Sequence, residues 1–216
     1  MALLNFNEWE KTYLKFSQIV ANPKKLEKAL KSWNMDRRSK ILDMCCGSGG
    51  YFYTFEKAGY QNIFGLDFSH NLLAHVKDPV TLIQADALSC PIKENSFDAV
   101  FINKALHHFH EYGPLMKEIK KMLKPGGYFC FIEPRSTWFR RLYHCVLQSP
   151  IIKFFPPLEK YREAALVTEG ETYFKWLEVS QRFFRDLESK YGFTIESLKG
   201  DLLHYVVKCK NNVRRA

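Results

Sequence analysis

The chain has 216 residues, 46% hydrophobic and 25% charged, with 32 Lys and Arg against 23 Asp and Glu for a net charge of +9. That suits one large domain with an ordinary core, and it excludes a disordered chain, a collagen and a coiled coil. No apolar run approaches the roughly 18 residues that a bilayer span needs, and the N-terminal MALLNFNEWEKTYLKF carries early charge and no signal core, so a cytoplasmic protein is expected.

Phe6, Trp9, Tyr13, Phe16 and Val20 fall at spacings of three and four, which predicts an amphipathic helix over 5–20. A second helix is expected from Pro23, in its first turn, to Trp33. The rhythm then changes. SKILDM (39–44) reads as a strand running into the glycine-rich turn CCGSGG, and a helix comes next, to a stop at Gly59. QNIFGL (61–66), TLIQAD (81–86), FDAVFIN (97–103) and YFCFIE (128–133) read as four further strands, with helices expected over 70–77 and 111–123. Lys124-Pro125-Gly126-Gly127 reads as a stop and turn. Residues 135–149 look helical, Pro150, Pro156 and Pro157 interrupt the next stretch, and a long helix is expected over 171–190. GFTIESLKG and LLHYVVKCK close the chain as a hairpin.

Strands alternating with helices imply a parallel sheet covered on both faces. The expected fold is therefore α/β and Rossmann-like, a seven-stranded, mostly parallel sheet with a terminal antiparallel hairpin. It forms one domain over 1–216, with N-terminal helices (1–35) above the ligand edge and a helical cap inserted at 134–170.

The six cysteines show no CxxC pair and no metal-ligand spacing, so reduced thiols and no metal are expected. Charge is uneven: 9 basic and 4 acidic side chains in 1–40, 8 and 10 in 41–133, 15 and 9 in 134–216. A basic surface attracts nucleic acid, anionic lipid or an acidic substrate, and also serves simply as a solvated face.

The chemistry centres on the end of the first strand, ILDMCCGSGG. Glycines there let a ligand approach the backbone closely. Phe52 stands where the dinucleotide fingerprint needs glycine or alanine, which disfavours a nicotinamide or flavin enzyme, and the Gly-Lys-Ser/Thr of a P-loop is absent. Asp67 closes the second strand, where a carboxylate can accept both hydroxyls of a ribose, and Asp86 closes the third, where it can face the amine of adenine.

With GLDFS, ADALSCPIKENSFDAVFINKALHHF and LKPGGYFCFIEP, the stretch 36–133 resembles the class I S-adenosylmethionine (SAM)-dependent methyltransferases of the broad small-molecule type. The resemblance implies that Asp43, Gly47 and Gly49 hold the methionine end of the cofactor SAM. It implies Asp67 and Phe68 at ribose and adenine, Asp86 and Ala87 at the adenine edge, and Asn103 facing the sulfonium. The family often has glycine where this chain has Cys45, and the methionine part would lie across that thiol. Tyr13 either closes over the cofactor or fills the core.

Methyl transfer needs alignment more than chemical help, and a general base where the acceptor is a hydroxyl or a protonated amine. His107, His108 and Glu133 are the candidates. The stacking platform of nucleic-acid amine methyltransferases is missing after the fourth strand, where the sequence is Asn103-Lys104-Ala105-Leu106. A small-molecule acceptor with an apolar body and an acidic or polar end is expected, because the cap mixes Trp138, Phe139, Tyr143, Phe154, Phe155 and Tyr161 with Arg135, Arg140, Arg141, Lys153 and Lys160. Three alternatives stay open: an RNA acceptor held by the basic flanks, a cap resting on anionic membrane, and a SAM-binding protein without transferase activity.

Overall fold

The computed structural model describes residues 9–15 and 22–212, with the backbone alone for parts of 141–171. Phe6, Phe16 and Val20, and the side chains of Tyr143, Tyr161, Arg141 and Lys160, lie outside the described residues.

In chain order the elements are α1 (residues 9–15), α2 (Pro23–Trp33), β1 (Ile41–Met44), α3 (Phe52–Lys57), β2 (Ile63–Asp67), α4 (His70–Leu73), β3 (Thr81–Gln84) and β4 (Phe97–Asn103). Then come α5 (Tyr112–Met122), β5 (Leu123–Pro134), α6 (Trp138–Gln148), α7 (Pro156–Ser189), β6 (Phe193–Gly200) and β7 (His204–Asn211). The seven strands form one sheet in the order β3-β2-β1-β4-β5-β7-β6. β1 to β5 are mutually parallel, and β7 runs antiparallel to both neighbours.

Period-two alternation divides each central strand between two cores. Leu42, Met44, Val100, Ile102, Phe129 and Phe131 face α5 and α7, against Leu115, Ile119, Trp176, Phe183 and Leu187. Ile41, Ala99, Phe101, Cys130 and Ile132 face α2 and α3, against Leu26, Leu30, Trp33 and Phe55. Strands buried on both faces read as continuous apolar runs, which makes them legible in the sequence. Leu26, Ala29, Leu30 and Trp33 form the buried stripe of α2, whose first turn is capped by Asn22 Oδ1 accepting from the Lys25 amide at 3.1 Å.

Three expectations are corrected. The long helix starts at Pro156 rather than near 171, because the paired prolines fill its first turn, where no amide donor is required. Lys124–Gly127 does not separate a helix from a strand. β5 already pairs at Leu123 with Phe97 and resumes at Tyr128 with Ala99, so the four residues make an excursion within the strand, with Gly126 left-handed at φ +74°. The helix expected over 70–77 ends at Leu73.

Trp176, fully buried on α7, donates its indole N–H to the Pro134 carbonyl at 2.8 Å. That bond pins α7 to the carboxyl end of β5. Among the described residues no helix is long and apolar enough to cross a membrane.

Candidate functional site

The loops after β1, β2, β3, β4 and β5 all emerge at one edge of the sheet, where open α/β sheets bind ligands. After β1 the chain turns sharply. Cys45 has φ +61°, a left-handed backbone that favours glycine over a residue with a side chain. Gly49 has φ +76°, and a Cβ on it would lie 2.8 Å from the Phe52 ring. The loop is thus closed tightly on the first residue of α3.

Asp67 ties this loop to the next. Its Oδ2 accepts from the Gly47 amide at 2.8 Å and its Oδ1 from the Ser69 amide at 2.9 Å. α1 closes the same region from outside. The Tyr13 ring lies against Gly47, where an added Cβ would sit 3.4 Å from it, and Tyr13 stacks on Trp9 with centroids 5.1 Å apart. Glu10, buried, accepts from the Ser69 hydroxyl and from the Asn71 amide group at 2.7 Å. Sequence reasoning missed Glu10, since a single acid on an amphipathic helix carries no signal of where it docks.

Burial, and secondarily the charge of Asp67, holds the Asp43 carboxyl well above the usual range. Burial also lifts Asp67, opposed by the amides of Ser69, Gly47 and Phe68. Burial pushes the Cys45 thiol far up, with Asp67 and Asp43 adding to it, so this thiol is protonated and no nucleophile. Three buried carboxyls, Glu10, Asp43 and Asp67, therefore meet here, and among the described residues no basic side chain offsets either aspartate. Such a donor set fits a cationic ligand carrying hydroxyls, which SAM is, with its sulfonium, ammonium and ribose.

Phe68, beside Asp67, is 54% exposed. Asp86 is exposed, its Oδ1 accepting from the Leu88 amide at 2.8 Å in a turn. Ala87 packs into the core and not onto the rim.

The other half of the site surrounds β4 and β5. Asn103 ends β4, and its side chain lies near Tyr51, whose hydroxyl accepts from the Asn22 amide at 3.2 Å. Glu133 and His107 are both buried. Glu133 Oε1 accepts from the amides of Ala105 and Leu106, each at 2.7 Å, and Oε2 takes His107 Nδ1 at 2.7 Å. Both oxygens of Glu133 are engaged by the chain itself. The His108 ring lies 4.2 Å from that of His107, and Tyr173 of α7 meets His107 edge-on at 5.5 Å. Tyr173 also accepts from the guanidinium of buried Arg140. Tyr51 and the Arg140–Tyr173 link went unseen in the sequence because each joins elements far apart in the chain.

Comparison with known proteins agrees with this geometry. Residues 42–131, β1 to β5, match the model of a family described as methyltransferase domain. The chain is 30% identical over 174 residues to the demethylmenaquinone methyltransferase of Anoxybacillus flavithermus, covering 74% of this chain and 69% of that protein. To the demethylmenaquinone methyltransferase of Bacillus subtilis it is 28% identical over 210 residues, 89% of this chain and 85% of that one. The crystal structure of a SAM-dependent methyltransferase from Aquifex aeolicus superposes with a TM-score of 0.59 at 16% identity, covering 91% of this chain and 97% of that one. Strand order, acidic cofactor edge and sequence similarity converge: the chain belongs to the class I SAM-dependent methyltransferases and is an enzyme that transfers methyl groups from SAM to a small molecule.

Proposed function

We propose that the acceptor has an apolar body and reaches the methyl group beneath the segment 134–170, which acts as a cap and selects it. The observation that carries this reading is the uncovered apolar face of the cap. Trp138, Leu142 and Val146 recur every four residues on α6 and are 71%, 51% and 51% exposed, and beyond them Phe154 is 82% exposed. Large apolar side chains left in water on one face mark a surface that a ligand or partner covers. These residues point outward rather than lining a closed wall, so the acceptor arrives across them. Similarity to demethylmenaquinone methyltransferases supports a quinone-type acceptor.

In this reading the chain is a single methyltransferase domain. Asp43, Cys45, Gly47 and Gly49 hold the methionine end, Asp67 takes the ribose hydroxyls, Phe68 flanks adenine, and Asp86 borders its edge. Asn103, beside Tyr51, faces the sulfonium, and Tyr13 closes α1 over the loop. SAM supplies an activated methyl on sulfur. The protein's own work is alignment and exclusion of water. Glu133 and His107 position the loop after β4, and His108, partly exposed, is the group that can take a proton from an acceptor hydroxyl. The six unpaired thiols support a reducing, cytoplasmic setting.

The test supplies methyl-labelled SAM with a reduced short-chain naphthoquinone, and in parallel with RNA. Label in the solvent-extracted quinone is expected. Label in RNA, or cofactor binding without turnover on any quinol, would sink the proposal.

A further inference from the structure

Arg140 fixes which way α6 faces. It is 7% exposed, and its guanidinium donates to the carbonyls of Arg135, at 3.1 Å, and Leu203, and to the Tyr173 hydroxyl. Thr137, which caps the helix, accepts from the Arg140 amide at 3.1 Å and donates to the Leu202 carbonyl at 2.7 Å. The first turn of α6 is thereby seated on the end of β5 and on the loop between β6 and β7. At about 3.6 residues per turn, Trp138, Leu142, Cys145 and Val146 form one stripe opposite Arg140. All four are exposed. The apolar surface continues past the helix. Phe154 and Phe155 are 82% and 52% exposed, and Leu202, joined to Thr137 beside Trp138, is 57% exposed.

Charge narrows what such a surface can meet. From Pro134 to Leu158 the sequence holds Arg135, Arg140, Arg141, His144 and Lys153, and no Asp or Glu. Lys153 is exposed next to Phe154. The carboxylates that border the segment are engaged elsewhere. Glu133 holds His107 and two amides, and Glu159 pairs with Arg162. Asp201, in the loop that seats α6, pairs with Lys25, whose ammonium also lies 2.6 Å from His204 Nδ1. A second copy of the chain would bring like charge against like, in a protein of net charge +9. RNA would match the charge and leave Leu142 and Val146 in water. A bilayer surface with anionic headgroups supplies both an apolar boundary and negative charge. At 11 residues α6 is too short to span a bilayer and suited to lie on one.

We propose that the outer face of α6, with Phe154 and Phe155, docks on an anionic lipid bilayer and takes the methyl acceptor from it. The proposal rests on the apolar-acceptor reading above and deepens it. An apolar quinol partitions into lipid, and α6 starts just past Glu133, which holds the loop after β4. The docked face therefore lies beside the side of the site where the acceptor enters.

The experiment incubates the full chain, without SAM, with sedimenting vesicles of phosphatidylcholine alone or mixed with phosphatidylglycerol. Binding to the mixed vesicles is expected, much weaker binding to phosphatidylcholine alone, and a decline as salt rises. Trp138 emission should shift to the blue, and Trp138→Phe should remove the shift. Leu142→Glu and Lys153→Glu should each weaken vesicle binding by about tenfold, with S-adenosylhomocysteine affinity held within about threefold. Where a variant does not fold, the emission shift of the wild type decides alone. No binding to the mixed vesicles, equal binding to both vesicle types, or equal binding by the variants overturns the docking. So does a dimer in lipid-free solution that Leu142→Glu breaks, since a second copy then covers the face. Vesicle binding without transfer to any quinol upholds the docking surface and sinks the acceptor reading beneath it. Transfer to a short-chain quinol in lipid-free solution, with no vesicle binding, does the reverse.

Discussion

Glu133 and His107 meet at 2.7 Å with 0% and 1% of their side chains exposed, and the same carboxylate receives the amides of Ala105 and Leu106. One acid at the end of β5 thereby shapes the whole turn after β4. Removing it strands two buried amides and an imidazole. Glu133→Ala is expected to destabilise the fold by about 3 kcal/mol, as loss of a buried charged acceptor does. Glu133→Gln, which keeps one acceptor oxygen, should lose clearly less. Denaturant titration of both variants checks the ranking, and equal stabilities would refute the clamp.

Cys45 carries a left-handed backbone that costs a non-glycine residue about 1–2 kcal/mol. Comparing Cys45→Gly with Cys45→Ala removes the thiol from both. The glycine variant should be the more stable by about 1 kcal/mol, since only alanine meets the steric cost. A more stable alanine variant would mean the loop relaxes out of this conformation.

Asp43 and Asp67 both have folded pKa values raised by burial. A raised carboxyl binds its proton more tightly folded than unfolded. Its contribution to stability is complete below the unfolded value, about 4, and is lost as pH rises through the folded value. Asp43→Asn escapes that loss. Without ligand it should melt higher than the wild type at pH 8, with the gap closing toward pH 4. With SAM the order should reverse, because a cationic ligand rewards the ionised acid. Scanning calorimetry at the two pH values, with and without SAM, reads this directly.

Asp67→Ala should weaken SAM binding by about 1–3 kcal/mol, the worth of hydrogen bonds to a charged acceptor. The fold will feel it too, since Asp67 also holds Gly47 and Ser69. Calorimetry on refolded protein separates the two effects, and unchanged affinity would place the ribose elsewhere.

Trp138 and Phe154 are 71% and 82% exposed, so cutting either to alanine should change stability by less than about 0.5 kcal/mol. Transfer to a quinol should fall, with SAM affinity within about threefold. Loss of SAM binding in a folded variant would place the cap within the cofactor site.

Sequence alone determined the layered fold, because strands buried on both faces are written as apolar runs and the loops between them by Gly and Asp at strand ends. α2 and β4 appear with the bounds that their periodicity implies. Asp43 and Asp67 were legible because short-range turn chemistry places them. The start of α7 was misread because Pro156 and Pro157 break a helix in its interior yet suit its first turn, and local pattern does not tell which. Only tertiary structure decided that Glu133 is a clamp, that Glu10 docks α1 onto Ser69, and that Lys25 meets His204 and Asp201. Those residues are separated by up to 179 positions in the chain. Their charges become neighbours only once sheet order and helix packing bring the strand ends together.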